Sequence, residues 1–519
     1  MTRARSTHKP SNKVLRFGGD PVQSSVTTQA AIDSLGTRYT GVSIDSRSVK
    51  AGDLFLAYPG DAADGRQYIA QAIAAGALIV AWEKSGFAWN PVWQVPNVAV
   101  DGLRHQAGHL AGNFFKNPSR HLWIAGVTGT NGKTTCSQWI AQSLNYLKRK
   151  SAVAGTLGRG LPGDDAFDRT SVNTTPDPVT LQAFLAQMRA KGAQAVAMEV
   201  SSHGIEQGRV NGIEIDVAMF TNLSRDHLDY HGDMQSYGEA KAQLFAWPGL
   251  KHAVVNLDDR FGAELASRID RKKVNVIGYG FGKGEIAGHK LDMSRRGLKL
   301  EITTPWGAAH LRSRVLGAFN AHNILGVLGV LVCSDVPLED AVAAIAEIEP
   351  VPGRMQTISE SGFPLVVVDY CHTPEALAKA LESLRGLLEP GARLHCVFGA
   401  GGDRDAGKRP EMGEVATRLA DQSIVTSDNP RSEDPLRIID DIVAGARGGY
   451  QLQPDRRKAI SEAIRNAVPD DVVLIAGKGH EAYQEIQGQR IPFDDLAVAR
   501  EVIARRSRPK RRQGGSACV

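Results

Sequence analysis

The stretch from Gly126 to Thr135 has the residue types and spacing of a phosphate-binding loop. It reads Gly-Val-Thr-Gly-Thr-Asn-Gly-Lys-Thr-Thr and lies between the apolar run Leu122-Trp-Ile-Ala125 and a helix-like segment. The glycines let successive backbone N–H groups point at one anion, and the next helix N-terminus adds partial positive charge. Lys133 is placed to reach the outer phosphates of a nucleotide, and the Thr134 hydroxyl to ligate Mg²⁺. The usual pattern has glycine where this chain has Val127, but every part that would touch phosphate is present, so we expect a nucleoside triphosphate site.

Two polar segments that follow strand-like runs could hold a metal ion or an anion. Glu199 lies at the end of the run Ala195-Val-Ala-Met-Glu-Val200, and His227 lies in Asp226-His-Leu-Asp-Tyr-His231. A carboxylate at the sheet edge beside a phosphate loop is placed to hold Mg²⁺, directly or through water. Histidines with acids also suit zinc, but hard oxygen ligands together with a nucleotide favour Mg²⁺. The alternative interpretations are a solvated loop acid and a hydrogen-bonded histidine without a metal.

Three loops in the last third of the chain follow strand-like runs and carry side chains suited to an amino acid. Arg404 and Arg431 are fork-shaped donors that could bind a small carboxylate through two hydrogen bonds. Glu481 could hold an ammonium group. These residues predict a pocket for an amino acid with a carboxylate and an amine at its far end, with surface salt bridges as the alternative explanation of the arginines. The loops are Gly399-Ala-Gly-Gly-Asp403, Ser427-Asp-Asn-Pro-Arg431 and Gly477-Lys-Gly-His-Glu481.

Strand-like and helix-like segments alternate along the chain, which predicts an α/β fold. At 519 residues the chain is too long for one core, so we expect three domains. Residues 1–118 would form a small N-terminal α/β domain, and residues 119–350 a central phosphate-loop ATPase-like domain with a parallel sheet covered on both faces. Residues 351–519 would form a C-terminal Rossmann-like domain with a basic tail. Ligands of open parallel sheets bind beyond the carboxyl ends of the strands, where the polar loops lie. The alternating run Leu298-Lys-Leu-Glu-Ile-Thr303 predicts a small antiparallel appendage.

The composition is that of an ordinary globular protein, with 42% hydrophobic and 23% charged residues. The net charge of +5 comes partly from the tail at 505–512, so nothing indicates a nucleic-acid-binding protein. We expect this tail and the first 15 or so residues to be disordered. Five cysteines, at 136, 333, 371, 396 and 518, have no metal-binding spacing, which fits unpaired thiols in a reducing compartment. The chain has no signal-peptide-like start and no run of about 18 apolar residues, so we expect a cytoplasmic protein without membrane insertion.

Taken in order along the chain, these motifs resemble those of the Mur ligase family, over nearly the whole length from about Ser43 to Asp495. Two positions depart from the family pattern: Cys371 stands where alanine is common, and Ala400 lies within the glycine loop, but both residues are small. The motifs that carry the resemblance are Thr128-Gly-Thr-Asn-Gly-Lys-Thr134, Asn173-Thr-Thr175, Glu199-Val-Ser-Ser-His-Gly204, Asp226-His-Leu-Asp-Tyr-His231, Asp369-Tyr-Cys-His-Thr-Pro374 and Asp428-Asn-Pro-Arg431.

The resemblance implies a role for each matching residue. ATP phosphates would be bound by Gly129, Thr130, Asn131, Gly132, Lys133, Thr134 and Thr135, with Asn323 and Arg354 nearer the adenosine. A uridine nucleotide would be held by Ile44, Ser46, Asp61, Ala62 and Ala63. A muramoyl dipeptide would be held by Asn173, Thr174, Thr175, Ser201, Gln207 and Arg209. The incoming amino acid would be held by Arg404, Asp428, Asn429, Pro430, Arg431, Gly477 and Glu481. Mg²⁺ would be held by Thr134, Glu199, His227 and Lys241.

Lys241 has two different interpretations. From the sequence alone it is an ordinary surface lysine on an amphipathic helix-like segment. The resemblance implies instead that it is carbamylated, which converts a cation into an anion able to ligate Mg²⁺. With Lys133, Glu199 and His227 it would then belong to the catalytic set.

The resemblance also implies a reaction, which is ATP-dependent amide-bond formation in peptidoglycan precursor synthesis. The substrates would be UDP-N-acetylmuramoyl-L-alanyl-D-glutamate and meso-2,6-diaminopimelate, with the glutamyl γ-carboxylate activated as an acyl phosphate. Family members that add diaminopimelate carry Asn-Pro-Arg at the position of Arg431. A guanidinium suits the second carboxylate that distinguishes diaminopimelate from lysine. We expect the protein to act as a monomer.

Two alternatives use the same phosphate loop. A folylpolyglutamate synthase-like ligase would share the chemistry, but such enzymes lack the uridine-binding block and the Asp428–Arg431 loop. A nucleotide-driven switch or motor ATPase would leave Arg404, Arg431 and the whole first block unexplained. ADP release that requires both a UDP-linked dipeptide and diaminopimelate would separate a Mur ligase from both alternatives.

Overall fold

The chain folds into three successive α/β regions, each built around its own main β-sheet. The structure is a computed structural model that describes residues 15, 21–61, 63–169 and 173–507. Most of the N-terminal segment predicted to be disordered, the tail beyond residue 507 and Ala62 lie outside the described residues. No helix in the described ranges is long and apolar enough to cross a membrane.

The first region contains a parallel sheet of four strands in the order β1-β2-β3-β4. Strands β2 and β3 are almost entirely apolar, and side chains such as Leu54 and Ile79 are fully buried beneath the helices. Its elements are α1 (Pro21–Asp33), β1 (Gly41–Ser43), β2 (Asp53–Ala57), α2 (Ile69–Ala74), β3 (Ile79–Glu83), β4 (Asn97–Val100) and α3 (Leu103–Phe114), with 3₁₀ turns at Gly65–Tyr68 and Pro118–His121.

The central region is built on a ten-stranded sheet in the order β14-β13-β12-β11-β10-β9-β5-β8-β6-β7. Its elements up to the fifth helix are β5 (Trp123–Thr128), α4 (Lys133–Tyr146), β6 (Ser151–Gly155), β7 (Gly158–Gly160) and α5 (Pro178–Ala190). The middle elements are β8 (Ala195–Glu199), α6 (Ser202–Glu206), β9 (Val217–Phe220), α7 (Leu228–His231), α8 (Met234–Ala242), β10 (His252–Asn256) and α9 (Arg260–Arg268), with a 3₁₀ turn at Gln243–Ala246. The last elements are β11 (Asn275–Phe281), β12 (Ile286–Ser294), β13 (Gly297–Thr304), β14 (Gly307–Ser313), α10 (Ala318–Val332) and α11 (Leu338–Ala346).

The strands β8, β5 and β9 run parallel and side by side, and they position the phosphate loop. The register pairs Val127 of β5 with Glu199 of β8, and Thr128 of β5 with Phe220 of β9. Because carboxyl ends of parallel strands meet at one edge, the loops after these three strands lie next to each other. Separate apolar clusters cover the two faces of this sheet, as predicted for buried parallel strands.

The predicted antiparallel appendage is present, but it continues the central sheet rather than standing apart. Strands β12, β13 and β14 pair antiparallel, and β12 pairs parallel with β11. The alternation that predicted strand Leu298–Thr303 is visible in β13, where side chains are buried and exposed in turn.

The C-terminal region has a six-stranded sheet in the order β15-β16-β20-β17-β18-β19, in which β15 alone runs antiparallel to its neighbour. Parallel strands flanked by helices agree with the predicted Rossmann-like arrangement. Its elements are β15 (Gln356–Ile358), β16 (Leu365–Asp369), α12 (Pro374–Arg385), β17 (Leu394–Phe398), α13 (Lys408–Leu419), β18 (Gln422–Val425), α14 (Pro435–Val443), β19 (Tyr450–Leu452), α15 (Arg456–Asn466), β20 (Val472–Ala476), β21 (Tyr483–Ile486), β22 (Gln489–Pro492) and α16 (Asp495–Ser507).

The hairpin of β21 and β22 was not expected from the sequence. Its two-residue turn consists of Gln487 and Gly488, both with positive φ, at 50° and 74°. Two positive φ values in a two-residue loop are typical of the tight turn whose twist matches that of a hairpin. Gly488, at the second position of the turn, could therefore have predicted this hairpin.

Candidate active site

A cavity of about 2100 Å³ lies between the carboxyl ends of the central sheet and those of the C-terminal sheet. Sites for one small molecule usually measure about 300–1,000 Å³, so this cavity has room for more than one substrate. The predicted site residues that line it are Thr130, Asn131, Gly132, Lys133, Thr134, Thr135, Asn173, Thr174, Glu199, Ser201, Arg209, His227, Asn323, Arg354, Arg404, Asp428, Asn429, Arg431, Gly477 and Glu481.

The phosphate loop is held in shape by the segment that follows β9. The backbone N–H of Thr130 donates to the Asn222 carbonyl at 2.8 Å, and that of Asn131 donates to Asn222 Oδ1 at 3.0 Å. The Thr221 hydroxyl donates to the Asn131 carbonyl at 2.6 Å. Gly129 has φ of 143°, and a Cβ there would overlap Thr221 Oγ1, so only glycine fits. The loop is therefore preorganised by a neighbouring strand end.

Lys133 begins α4 and folds over its own loop. Its Nζ donates to the carbonyls of Gly129 and Thr130 at 2.8 and 2.9 Å. Burial lowers the pKa of this ammonium, while the nearby carboxylates of Glu199 and Asp226 oppose that shift. Lys133 thus lines the cavity with its amine on two loop carbonyls, and a phosphate group there would be a more strongly charged partner for it.

Glu199 is a buried carboxylate rather than a solvated loop acid, because only 1% of the residue is exposed. Its Oε2 accepts hydrogen bonds from the hydroxyls of Thr134 and Thr156 at 3.0 and 3.1 Å. Its Oε1 accepts the backbone N–H of Thr156 at 2.7 Å. A Cβ on Gly155 would overlap this carboxylate, so the neighbouring strand leaves room for it. The structure therefore brings a threonine of the phosphate loop and an acid together.

This oxygen pair suits Mg²⁺ in a nucleotide site. Mg²⁺ is usually bound by one or two carboxylates, with the remaining ligands being water and substrate phosphates. Across the described ranges, no group of three or more His, Cys, Asp or Glu side chains could hold a metal. The side chains of Thr134 and Glu199 could hold such an ion together with water and phosphate oxygens.

Lys241 is buried, so the interpretation as a surface lysine is wrong. Only 1% of the residue is exposed, and its Nζ donates to the Gly129 carbonyl at 3.1 Å. The ammonium also lies 4.1 Å from the centre of the Tyr237 ring. Burial lowers its pKa well below the ordinary value, and the positive charge of Lys133 adds to this shift. A neutral amine is the form that reacts with CO₂, which makes carbamylation chemically accessible here.

His227 lies after Thr221 and Asn222, the residues that hydrogen-bond to the phosphate loop, and its φ is positive, at 55°. Its side chain is half-exposed, and Nε2 lies 3.4 Å from Asp226 Oδ2. Its ring packs edge-on against that of His203, with 4.9 Å between ring centres. Such a histidine at the rim of the cavity could act as a metal ligand or contact a substrate.

Four of the six residues predicted to bind the dipeptide form a connected group beside Glu199. Thr175 donates to the Glu199 carbonyl at 2.9 Å and to Ser201 Oγ at 3.2 Å. Arg209 donates to the Thr175 carbonyl at 2.9 Å. Thr174 Oγ1 lies 3.1 Å from the Thr156 hydroxyl, which itself bonds to Glu199. These four residues thus share one hydrogen-bond network with Glu199.

The residues predicted to bind the uridine nucleotide do not line the cavity. Ser46, whose hydroxyl donates to Gln71 Oε1 at 3.0 Å, and the half-buried Ile44 both lie in the first region. Asp61 links the regions, because it pairs with Arg104 at 2.7 Å and accepts a hydrogen bond from Gln207. Asp61 and Gln207, assigned to separate parts of the substrate, therefore contact each other. The other predicted residues outside the cavity lining are Ala63, Gly129, Thr175, Lys241 and Pro430.

Arg354 and Asn323 connect the phosphate loop to its surroundings. Arg354 donates to the Thr134 hydroxyl at 3.2 Å, and its guanidinium lies 4.3 Å from the centre of the Tyr370 ring. Asn323 is buried against Gly132, where a Cβ would lie 2.8 Å from its Oδ1. Arg354 thereby reaches from the C-terminal side of the cavity to the phosphate loop.

Arg431 is held by the hairpin of β21 and β22, which the sequence pattern did not predict. It has a positive φ of 51°, its N–H donates to the Glu485 carbonyl at 2.9 Å, and its carbonyl accepts the Gln487 N–H at 2.6 Å. Its Nη1 donates to the Gly402 carbonyl at 2.6 Å, which ties it to the loop that carries Arg404. Arg404 itself is exposed at the cavity wall.

Asn429 and Glu481 meet at the inner end of this pocket. Asn429 Nδ2 donates to Glu481 Oε2 at 2.7 Å, and only 2% of Asn429 is exposed. Asp428 accepts a hydrogen bond at its carbonyl from Gln484, a residue of β21. A Cβ on Gly477 would crowd the Asp428 carboxylate, so the predicted residues of three loops are in mutual contact.

Sequence reasoning missed several groups near this pocket. Lys478 is fully buried, and its position between two glycines of a loop already singled out was an available signal. Arg456 and Asp495 form a fully buried ion pair at 2.6 Å, and Arg456 also donates to the Ala476 carbonyl. Nothing in the sequence distinguishes that pair from surface charges.

The four cysteines within the described residues, at 136, 333, 371 and 396, are unpaired and buried, as expected for reduced thiols. Burial raises the pKa of Cys371, which lines the cavity, well above its ordinary value. It therefore serves as a small packing group in place of alanine.

Three family descriptions match successive parts of this chain. "Mur ligase family, catalytic domain" matches residues 38–115, "Mur ligase middle domain" residues 127–331, and "Mur ligase, glutamate ligase domain" residues 353–479. The UDP-N-acetylmuramoyl-L-alanyl-D-glutamate–2,6-diaminopimelate ligase of Chromobacterium violaceum is 50% identical over 476 residues, covering 91% of this chain and 96% of the relative.

Two solved structures show the same fold. A structure of a UDP-N-acetylmuramoyl-L-alanyl-D-glutamate–2,6-diaminopimelate ligase aligns with TM-score 0.67 and 36% identity, covering 91% of this chain and 96% of that one. The Mycobacterium tuberculosis folylpolyglutamate synthase, solved with ADP and AMPPCP, aligns with TM-score 0.60 and 19% identity over 72% of this chain and 92% of its own. At that identity the second likeness concerns the fold alone.

The chain has three α/β domains, and a phosphate loop in the second faces a charged pocket on the third. These features, with the matching family descriptions, define the class of this protein as a multidomain ligase. Identity of 50% to a relative matched over 96% of its length makes the assignment specific. The chain belongs to the Mur ligase family.

Proposed function

We propose that this protein is an ATP-dependent ligase of peptidoglycan precursor synthesis. It joins meso-2,6-diaminopimelate to the D-glutamyl γ-carboxylate of UDP-N-acetylmuramoyl-L-alanyl-D-glutamate, through an acyl phosphate. The relative of C. violaceum, matched over nearly its full length, carries the name of this reaction. A folylpolyglutamate synthase is less well supported, because that likeness leaves more than a quarter of this chain unaligned.

One observation carries the proposal: the phosphate loop and the three amino-acid loops line a single cavity. Asn173, Ser201 and Arg209 line the same cavity as Glu199. A carboxylate held by these residues would have the nucleotide on one side and the incoming amine on the other. That is the order in which activation and amide formation require the three groups.

In the first step, an oxygen of the glutamyl γ-carboxylate bonds to the ATP γ-phosphorus, and ADP leaves. Lys133 neutralises charge as phosphate oxygens approach one another, while the backbone N–H groups of the loop orient the phosphates. We assign Asn323 and Arg354 to the adenosine side of the nucleotide from the resemblance to Mur ligases, and their contacts with Gly132 and Thr134 support a place beside the nucleotide. Closure of the third domain over the second would shield the acyl phosphate from water.

Mg²⁺ would be held by Thr134 and Glu199, with His227 and carbamylated Lys241 as further ligands. When bound, the ion supplies charge neutralisation at the phosphate oxygens. Lys241 fits this assignment only as a carbamate, because an ammonium would repel the metal ion. Its burial and lowered pKa favour the neutral amine that carbamylation requires.

In the second step, an amine of diaminopimelate bonds to the acyl carbon, phosphate leaves, and the nitrogen loses its proton. Arg404 and Arg431 bind carboxylates of the amino acid, and Glu481 pairs with its remaining ammonium group. Asn429 donates to Glu481, Asp428 contacts Gln484 and Gly477, and the Pro430 carbonyl lies against Gly402, and these contacts between the loops keep the pocket in shape. Selection for diaminopimelate over lysine rests on Arg431.

We assign the uridine nucleotide to the first domain, at Ile44, Ser46, Asp61 and Ala63. Ala62, which lies outside the described residues, is assigned to the same site from the sequence alone. The contact of Asp61 with Gln207 supports a path from this domain to the dipeptide residues. We propose domain boundaries at 1–118, 119–350 and 351–519. A cytoplasmic location and a monomeric state remain predictions from the sequence.

The test is substrate-dependent ADP release. Purified protein with ATP and Mg²⁺ is assayed with both other substrates and with each one omitted, and the product mass is measured. We expect ADP only when both are present, together with a nucleotide peptide heavier by one diaminopimelate less water. Equal ADP release in the omission reactions would contradict the proposal and favour an uncoupled ATPase. The Lys133→Met variant should abolish the coupled reaction.

A further inference from the structure

Lys478 is a fully buried cation in the loop that follows β20. None of its side chain is exposed. Its Nζ donates to Asn429 Oδ1 at 3.0 Å and to Glu481 Oε2 at 3.4 Å, and it lies 5.5 Å from the centre of the Tyr483 ring. A buried ammonium is costly unless its charge and its N–H groups are satisfied. The fold therefore retains this charge in contact with two residues of the amino-acid pocket.

The ammonium determines how the Asn429 amide points. Asn429 Oδ1 accepts from Lys478 and from the backbone N–H of Glu485, both at 3.0 Å. An ammonium and a backbone N–H are donors only, so the amide oxygen must face them. The amide nitrogen is consequently directed at Glu481 Oε2, 2.7 Å away. Without Lys478, one of the two groups that fix this orientation is lost.

We propose that Lys478 is a positioning residue of the amino-acid pocket, which orients Asn429 and holds Glu481 as the carboxylate that receives the substrate ammonium group. This inference rests on the proposed function, since it assigns Glu481 to diaminopimelate. Lys478 acts through Asn429 and Glu481 and need not touch the substrate.

The charges around Glu481 support this role. Burial raises the pKa of the Glu481 carboxyl above its ordinary value, whereas Lys478 and the hydrogen bond from Asn429 lower it. The carboxylate of Asp428 raises it further. Removing Lys478 therefore shifts the pKa of Glu481 upward, and a protonated carboxyl attracts an ammonium less strongly. The other titratable or charged groups that interact with Glu481 are Arg456, Tyr370 and Tyr483.

The experiment compares Lys478→Met with Lys458→Met, a matched control on α15 whose side chain is 68% exposed. For Lys478→Met we expect the KM for diaminopimelate to rise about tenfold or more, since a charged hydrogen-bond network is disrupted. The KM values for ATP and the UDP-linked dipeptide should stay within about twofold of wild type. The acid limb of kcat/KM for diaminopimelate should move to higher pH. Lys458→Met should match wild type in every parameter.

Two further variants separate positioning from folding. Lys478→Arg keeps the charge, so its acid limb should stay at the wild-type pH even if its KM changes. The double variant Lys478→Met/Glu481→Gln leaves no unpaired charge behind, so it should fold. Because Lys478 acts through Glu481, this double variant should raise the KM for diaminopimelate only slightly above that of Glu481→Gln alone. An unchanged KM and acid limb in Lys478→Met would overturn the inference, as would an equal shift of the acid limb in Lys478→Arg or fully additive effects of the two substitutions on KM. If wild-type protein released ADP without diaminopimelate, the proposed function would fail instead.

Discussion

Replacing Arg431 by lysine tests amino-acid selection while leaving the backbone undisturbed. Arg431 has a φ of 51°, and lysine bears this conformation at a similar cost because both residues carry a Cβ, whereas glycine would remove that cost. The guanidinium donates to the Gly402 carbonyl at 2.6 Å and can still offer a fork to a carboxylate. An ammonium cannot make both interactions with that geometry, so about one charge-assisted hydrogen bond is lost, worth about 1.5–3 kcal/mol. We therefore expect kcat/KM for meso-diaminopimelate to fall about 10- to 150-fold.

The assay is ADP release with meso-diaminopimelate and with L-lysine, under conditions saturating in the other substrates. The low activity with L-lysine should change much less than that with diaminopimelate, because lysine lacks the second carboxylate. The ratio of kcat/KM for diaminopimelate to kcat/KM for lysine should thus decrease by about 10- to 150-fold, which corresponds to about 1.5–3 kcal/mol. Arg437→Lys, on the exposed side of α14, is the matched control. An unchanged preference in Arg431→Lys would refute the role of this arginine.

Three further outcomes follow from the buried groups of the site. Glu199→Gln should lower kcat by about 100-fold or more with little loss of thermal stability, since the amide fills the same space; near-normal kcat would exclude Glu199 from catalysis. Lys241→Met should be similarly inactive, and wild-type protein held in CO₂-free buffer should lose activity that added bicarbonate restores; indifference to bicarbonate would argue against the carbamate. Arg456→Met should lower the free energy of unfolding in urea by about 3–5 kcal/mol, because Asp495 is left buried without its partner at 2.6 Å. The double variant Arg456→Met/Asp495→Leu should recover most of that loss, and a double variant as unstable as the single one would contradict the explanation.

The sheets and the phosphate loop could be predicted because they depend on local patterns. Apolar runs such as Val472–Ala476 are buried strands, and polar loops at their ends are where parallel sheets bind ligands. The loop from Gly129 to Lys133 could be predicted from its two glycines, because only glycine tolerates the positive φ and the close contacts at those positions. Each of these features depends on a few residues that are neighbours in the sequence.

The electrostatic environment of the site could not be predicted in this way. The burial of Lys241 depends on packing of α8 against the phosphate loop, which joins residues 112 positions apart. The same holds for Lys478, whose partner Asn429 lies 49 positions away. The exposed or buried state of a charged side chain is a property of the assembled sheets, so residue type and spacing alone gave the wrong interpretation of Lys241.

The central claim is that the dipeptide carboxylate and the nucleotide phosphate react within the one cavity. The most direct measurement uses UDP-N-acetylmuramoyl-L-alanyl-D-glutamate labelled with ¹⁸O in the γ-carboxylate, with mass analysis of the phosphate released. We expect one labelled oxygen to pass into each phosphate, because the carboxylate oxygen bonded to phosphorus leaves with it. Phosphate free of label, formed together with the tripeptide product, would contradict activation of the carboxylate by ATP.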